Sequence, residues 1–226
     1  MLDPVETVAP RLLGAIVTSE VGGARVSIRL TEVEAYAGEG EDPGSHAFRG
    51  RTPRNDTMFA PPGRIYVYFT YGMHWCSNIV TGAEGSASAV LMRAGEVIEG
   101  LDVARDRRRV GRAAPLGDRE RRRVGQAAPL GDRDRRRTVR VDRDLARGPA
   151  RLSAALGLTG DLDGIDLFDP DSPVRLALPR QPVPVHARTP RTGVSGPGAV
   201  IAWRFTADHP TVSPYRAATP RRADSS

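Results

Sequence analysis

The block from Glu32 to Arg93 constrains this chain more than any other part of it. A strand-like run ends Glu32-Val33-Glu34-Ala35-Tyr36, and a histidine follows in the Gly/Pro loop Pro43-Gly44-Ser45-His46. Then come Thr52-Pro53-Arg54-Asn55 and the aromatic run Ile65-Tyr66-Val67-Tyr68-Phe69-Thr70-Tyr71-Gly72. Side chains alternate across a strand, so Glu32, Glu34 and Tyr36 share one face. Two carboxylates and a ring on one face do not make a core pattern. They suit a solvated face, or a site where a carboxylate activates water beside a stacking platform. In the aromatic run Tyr66 and Tyr68 face one way, Phe69 and Tyr71 the other. Aromatic strands usually belong to a core, but Tyr71 abuts Gly72 at a turn, where a ring is awkward to bury within its own domain.

These side chains form a chemistry set. Hydrolysis of an N-glycosidic bond needs a carboxylate that activates water and stabilises a cationic, oxocarbenium-like sugar. A base taken out of a duplex needs aromatic faces to stack on, each worth roughly 1–3 kcal/mol. A ring at a hairpin tip suits a wedge between base pairs. His46 reads as exposed or functional, Asn78 as an edge amide or a steric gate, and Arg93 as a surface charge or an orienter of the water. Cys76 reads as a small buried apolar residue.

Around this block, Val8–Leu13 looks like a helix end. Ala15–Thr18, Arg25–Glu34, Arg64–Tyr71, His74–Val80 and Ala87–Met92 read as strands. A helix is expected from Glu96 toward Ala104. Pro149–Leu156 carries helical spacing, with Leu152 and Leu156 four apart. Gly164–Phe168, Val174–Ala177 and Ala199–Phe205 read as strands. Without regular βαβ alternation these elements predict an α+β fold, a single mixed domain over residues 1–216 around a mostly antiparallel sheet. Residues 37–63 form a long loop of the kind that is functional or disordered.

Val110–Arg123 is nearly copied by Val124–Arg137, a period of 14. Its Pro, Gly and shortage of large apolar residues prevent solenoid packing, so residues 105–137 read as an expanded, disordered surface loop. Residues 217–226 read as a disordered tail. The net charge of +6 comes from that loop. Residues 105–137 hold 13 Arg and 5 acids, a balance of +8, and the other residues 20 Arg and 22 acids, or −2. Charge therefore argues only weakly for nucleic acid.

All 33 basic residues are arginine. With no lysine, no side-chain amine can form a Schiff base with an opened sugar, so cleavage would use water, barring the terminal amine. One cysteine excludes an internal disulfide and a cysteine-built zinc or iron–sulfur site. The four histidines show no ligand spacing. Neither a signal peptide nor an apolar run of roughly 18 residues stands out. The expectation is a cytoplasmic, cofactor-free and metal-free monomer, with no membrane association.

Glu32–Tyr36, Thr52–Asn55 with Met58-Phe59, Pro62-Gly63 through Met73, and Asn78 together resemble the 3-methyladenine (alkyladenine) DNA glycosylase family. The likeness runs from Ala9 to Glu99 and resumes at Gly148–Leu156 and Trp203–Phe205. It implies a curved antiparallel sheet whose β-hairpin enters the DNA minor groove, and a partner in double-stranded DNA with damaged purines. By the same resemblance Glu34 is the general base and Arg93 positions the water. Tyr36, His46 and Tyr68 line the base pocket, Tyr71 fills the gap in the duplex, and Asn78 crowds the 2-amino group of guanine. The resemblance leaves the lesion range open, because cationic 3-methyladenine leaves easily whereas hypoxanthine or ethenoadenine needs a stricter pocket.

Three other readings compete. A damage-binding protein that flips bases without cutting would keep the tyrosines and not need Glu34. A nucleoside hydrolase would use an aspartate-rich metal cluster, and an arginine-rich RNA binder would leave the Glu34 block unexplained. The arginine loop is either a neutral expansion or a phosphate contact. If it touches phosphates, deleting residues 110–137 flattens the salt dependence of DNA binding. An unchanged slope of affinity against salt would refute that contact.

Overall fold

A computed structural model describes residues 1–110 and 142–217. The 14-residue repeat and the end of the chain, for which an arginine loop and a disordered tail are expected, lie almost wholly outside the described residues.

The sheet is built on one long strand. β2 (Val26–Tyr36) is rich in β-branched and aromatic residues, and of its eleven positions only Arg29 is exposed. A strand buried this way must be paired on both edges. On one edge lies β5 (Ala89–Glu99), antiparallel along nearly the whole length. On the other, β1 (Ile16–Ser19) takes the first half and β8 (Arg204–Thr206) the second. β3 (Ile65–Thr70) and β4 (His74–Val80) form a hairpin joined to β5. β6 (Val174–Ala177) extends β1, and β7 (Ala187–Thr189) extends β8. Every pairing is antiparallel, in the order β3-β4-β5-β2-β1-β6 with β8 and β7 branching from β2. The expected α+β domain around a curled antiparallel sheet is the fold observed.

Register gives the two faces different work. Val33, Ala35, Val90, Met92, Ile65, Val67 and Ile79 enter the main apolar core. Helix α1 (Val5–Arg11) packs there, as does α3 (Pro149–Leu156), whose Ser153 hydroxyl meets that of Ser77 at 2.9 Å. Proline pre-sets the first turn of α3, and Gly157 ends it in the left-handed region at φ 72°. Glu34, Tyr36, Leu91, Asn78, Cys76, Tyr66 and Tyr68 point to the opposite face, because Glu34 pairs with Leu91, Leu91 with Asn78, Asn78 with Tyr66 and Cys76 with Tyr68.

Several sequence expectations shift. The strand expected to end at Met92 continues to Glu99, and the helix expected from Glu96 begins at Leu101 as α2 (Leu101–Val110). Glu96 and Glu99 mimic an acidic first helical turn but serve as cross-strand partners. Arg29 donates to Glu96 at 3.0 Å and Ser27 to Glu99 at 2.8 Å. Gly95 carries the strand onward because a Cβ there would lie 2.3 Å from Ile28. Helix α2 also absorbs Arg105–Arg109, the first part of the segment read as loop. Residues 164–168 contribute a single bridge, Asp166 to Arg64, rather than a strand. Only the end of 199–205 is extended into β8, since Pro197 and its flanking glycines turn Gly196–Val200 into a short 3-10 segment.

Gly100 makes the turn from β5 into α2 at φ 76°, where a Cβ would lie 2.0 Å from the Arg25 carbonyl. Gly100→Ala therefore combines backbone strain with overpacking and is expected to cost about 2–3 kcal/mol. Urea denaturation checks this, and wild-type stability in the variant would contradict it.

Candidate functional site

On the polar face of the sheet lies a cavity of about 350 Å³. Tyr36, His46, Tyr66, Tyr68, Cys76, Asn78 and Arg93 line it, with Tyr71 at the hairpin end and Thr192–Ser195 on the far side. The residues singled out from Glu32 to Arg93 are thus brought to one place, although β2, the loop at 37–63, β3, β4 and β5 each supply part of them.

Glu34 lies just behind the wall of this cavity and is fully buried. Its Oε1 accepts the Thr192 backbone N–H at 2.7 Å. Its Oε2 accepts the Tyr36 hydroxyl at 2.9 Å and Arg93 Nη1 at 3.2 Å. Those three donors belong to residues that line the cavity, so the carboxylate backs its wall through them. The solvated-face reading of the two glutamates fails here, since neither side chain is exposed.

Glu32 is the better-neutralised neighbour. Its Oε1 accepts Arg93 Nε and Arg204 Nε, each at 2.7 Å, and the Ser213 hydroxyl at 2.8 Å. Its Oε2 accepts the Ser213 N–H at 2.6 Å. The two carboxylates are consequently driven apart. Burial opposes ionisation of Glu32, but two guanidiniums outweigh it and hold the carboxyl below the ordinary range. Burial raises Glu34, and its share of Arg93 with the Thr192 and Tyr36 hydrogen bonds does not fully offset this. Arg93 is itself disfavoured by burial, yet Glu34 and Glu32 keep it firmly charged. The surface-charge reading of Arg93 is excluded, because the side chain is buried. A local irregularity explains its aim: β2 pairs Glu32 with Ala94 and Val33 with Met92, leaving Arg93 as the extra residue of a bulge. Bulges commonly re-aim a side chain beside a site.

The rings form the walls. Tyr68 packs against Tyr66 at 5.3 Å between centroids, and His46 meets Tyr68 edge-on at 4.6 Å. His46 Nδ1 lies 3.1 Å from the Tyr66 hydroxyl, while part of the ring stays exposed at the mouth. Desolvation first, and then the nearby Arg54 charge, lower the His46 pKa and favour the neutral imidazole. Burial raises the Tyr36 and Tyr68 phenols well above their ordinary value, so both remain protonated. Asn78 is at once the satisfied amide and the cavity-wall residue, its Nδ2 donating to the Tyr66 carbonyl at 3.0 Å. Cys76 is buried as expected but also lines the cavity. Tyr71 is 86 % exposed, at φ 52°. Among the described residues it is the one non-glycine in the left-handed region, which costs it of order 1 kcal/mol or more. Phe69 and Met73 beside it are also exposed.

Sequence reasoning missed Arg191, Thr192, Asp42, Arg204 and Ser213, which buttress the glutamates and Tyr36. Arg191 and Asp42 are both buried and bond bidentately, at 2.5 and 2.6 Å. Their partners lie far away in the chain, so no local pattern betrays them. Trp203-Arg204-Phe205, one of the stretches where the family resemblance resumes, was the nearest available signal. Among the described residues, no three His, Cys, Asp or Glu side chains gather as a metal-ligand set, and no helix is long and apolar enough to cross a membrane.

Residues 1–211 match the family model for methylpurine-DNA glycosylase. A protein of Streptomyces avermitilis, provisionally named 3-methyladenine DNA glycosylase, is 49% identical over 222 residues, covering 97% of this chain and 91% of its own. A Leifsonia xyli protein with the same provisional name is 50% identical over 212 residues, covering 92% of this chain and 87% of its own. One from Mycobacterium bovis is 42% identical over 221 residues, covering 95% and 91%.

Proposed function

This chain belongs to the methylpurine-DNA glycosylase family of DNA-repair hydrolases, and from that premise we propose that it is a monofunctional enzyme of base excision. It flips alkylated or deaminated purines, of the 3-methyladenine, 7-methylguanine, hypoxanthine and ethenoadenine class, from duplex DNA and hydrolyses their N-glycosidic bond. The observation that carries this reading is Glu34: an ionisable carboxylate directly behind the wall of a ring-lined cavity, its pKa raised and its oxygens held by three donors, all from residues that line that cavity.

In this reading the hairpin β3–β4 enters the minor groove and Tyr71 fills the vacated space in the stack. The exposure and left-handed backbone of Tyr71 favour that role, since a ring held out at a strained tip needs a partner from outside. The extruded purine lies between Tyr36 and Tyr68, with His46 at the mouth. Asn78 crowds the 2-amino group of a normal guanine. A water beside Glu34 and Arg93 gives its proton to the carboxylate as its oxygen bonds to C1′. The bond from C1′ to the purine breaks, the base departs with the bonding electrons, and an abasic sugar remains. Electrostatics suit the step, because the developing cationic sugar faces the carboxylate. The absence of lysine from the chain agrees with water as the nucleophile and with no lyase step. The protein acts as a monomer on duplex DNA.

Glu34→Gln removes the base while keeping the shape. Single-turnover base release from a hypoxanthine duplex and from methylated DNA is expected to fall by about 10²–10⁴-fold. In wild type the rate should rise with pH through an apparent pKa above that of an ordinary glutamate, about 4.3. The stability sign is opposite to that of a stabilising ion pair. A carboxyl whose folded pKa is raised contributes stability below its unfolded pKa and loses it as pH rises through the folded one. Relief of that charge offsets in part the amide NH2 that Gln sets against one of the donors around Glu34, so the variant is expected to stay folded at neutral pH, which its thermal unfolding checks. Lesion binding without release by wild type would favour a non-catalytic damaged-DNA-binding protein instead.

A further inference from the structure

We infer that Arg191, clamped by Asp42, is a positioning residue for base release, holding the Tyr36 platform and the Thr192 N–H in their working places. The inference rests on the reading above, in which Glu34 is the general base. Arg191 does not line the cavity and touches no reacting atom, so it is not a catalytic residue.

The clamp joins three segments that local sequence leaves independent. Arg191 Nη1 donates to Asp42 Oδ2 at 2.5 Å and to the Ala35 carbonyl of β2 at 2.9 Å. Nη2 donates to Asp42 Oδ1 at 2.6 Å and to the Gly198 carbonyl at 3.3 Å. Asp42 in turn accepts the N–H groups of Gly44 at 2.9 Å and Ala37 at 3.2 Å. One ion pair thus ties the end of β2, the loop that carries His46, and the strap 191–198 that supplies Thr192 to Ser195. The packing leaves no slack. A Cβ at Gly44 would lie 2.6 Å from Arg191 Nη2 and 2.7 Å from Val194, and one at Gly198 would lie 2.7 Å from the Gly44 nitrogen.

Two consequences reach the site. The Arg191 guanidinium lies over the Tyr36 ring at 4.6 Å from its centroid, with Trp203 at 5.5 Å on the same cation. Tyr36 is therefore fixed by a cation–π contact in a dry setting, where such contacts are strongest. Its hydroxyl is the donor to Glu34. The next residue after Arg191 is Thr192, whose N–H holds the other oxygen of Glu34. Arg191 controls both ends of the carboxylate through groups it touches or adjoins. A displacement of about 1 Å at such groups can cost up to about 10²-fold in rate.

The burial of an ion pair alone says little about stability, since an apolar replacement can be neutral or better. That makes the charge-neutral double variant Asp42→Asn with Arg191→Met informative, because it need not unfold the protein. Maximal single-turnover release from the hypoxanthine duplex, at saturating enzyme, is expected to fall about tenfold or more. The enzyme concentration giving half the maximal rate should change less than about threefold, as befits a role in positioning. The acid limb of the pH–rate profile should move to higher pH, because Glu34 loses hydrogen bonds that favour its ionised form. A folded variant with wild-type maximal rate and an unmoved acid limb overturns the inference while leaving Glu34 as base intact. A wild type that releases no base sinks the underlying reading instead. Should the double variant not fold, Arg191→Lys keeps the charge but not the bidentate, stacked geometry. It should show the same two changes at smaller size, and wild-type behaviour there is equally fatal.

Discussion

The structure depends on a seam of buried charge between two strands. Glu32 and Glu34 on β2 face Arg93 on β5, and all three are withdrawn from water. A buried carboxylate costs several kcal/mol unless it is paired and hydrogen-bonded. The chain meets that demand unevenly. Glu32 receives two arginines and both donors of Ser213, whereas Glu34 shares one arginine and takes a backbone N–H and a phenol. The same strand therefore carries one carboxyl below its ordinary range and one above it. Pairs of carboxyls pushed apart by their surroundings are a common basis for dividing structural from proton-transferring roles.

The sheet makes this affordable by giving its two faces different tasks. One face buries valine, isoleucine and methionine under α1 and α3. The other carries rings and polar groups that converge only because β2, β5, β4 and β3 are consecutive neighbours in register. A slip of one residue between β2 and β5 would turn Glu34 and Tyr36 into the apolar core. The bulge at Arg93 adjusts that register so its guanidinium reaches both glutamates.

What the sequence reveals and what it conceals follow from range. The alternation in Glu32–Tyr36 and Tyr66–Tyr71 is local, so the shared faces of these residues were legible, as was the helix Pro149–Leu156. Their burial was not. Two glutamates on a strand look solvated until Arg204 and Ser213 arrive from the far end of the chain. Arg191 and Asp42 lie 149 residues apart, and each alone resembles an ordinary surface charge. Glu96 and Glu99 misled in the opposite direction, because acidic residues shortly before a helix resemble its first turn, and only the cross-strand partners Arg29 and Ser27 reveal the strand. The family resemblance reached Glu34 and Arg93 but said nothing of the strap that holds them.

The split between two carboxyls two residues apart is central to the site, and a carboxyl-carbon NMR titration of the wild-type protein measures it directly, with Glu32→Gln and Glu34→Gln spectra for assignment. The prediction is that Glu34 titrates above the ordinary glutamate value, about 4.3, and Glu32 below it. Titration of both together in the ordinary range, or Glu34 as the more acidic of the two, would contradict it.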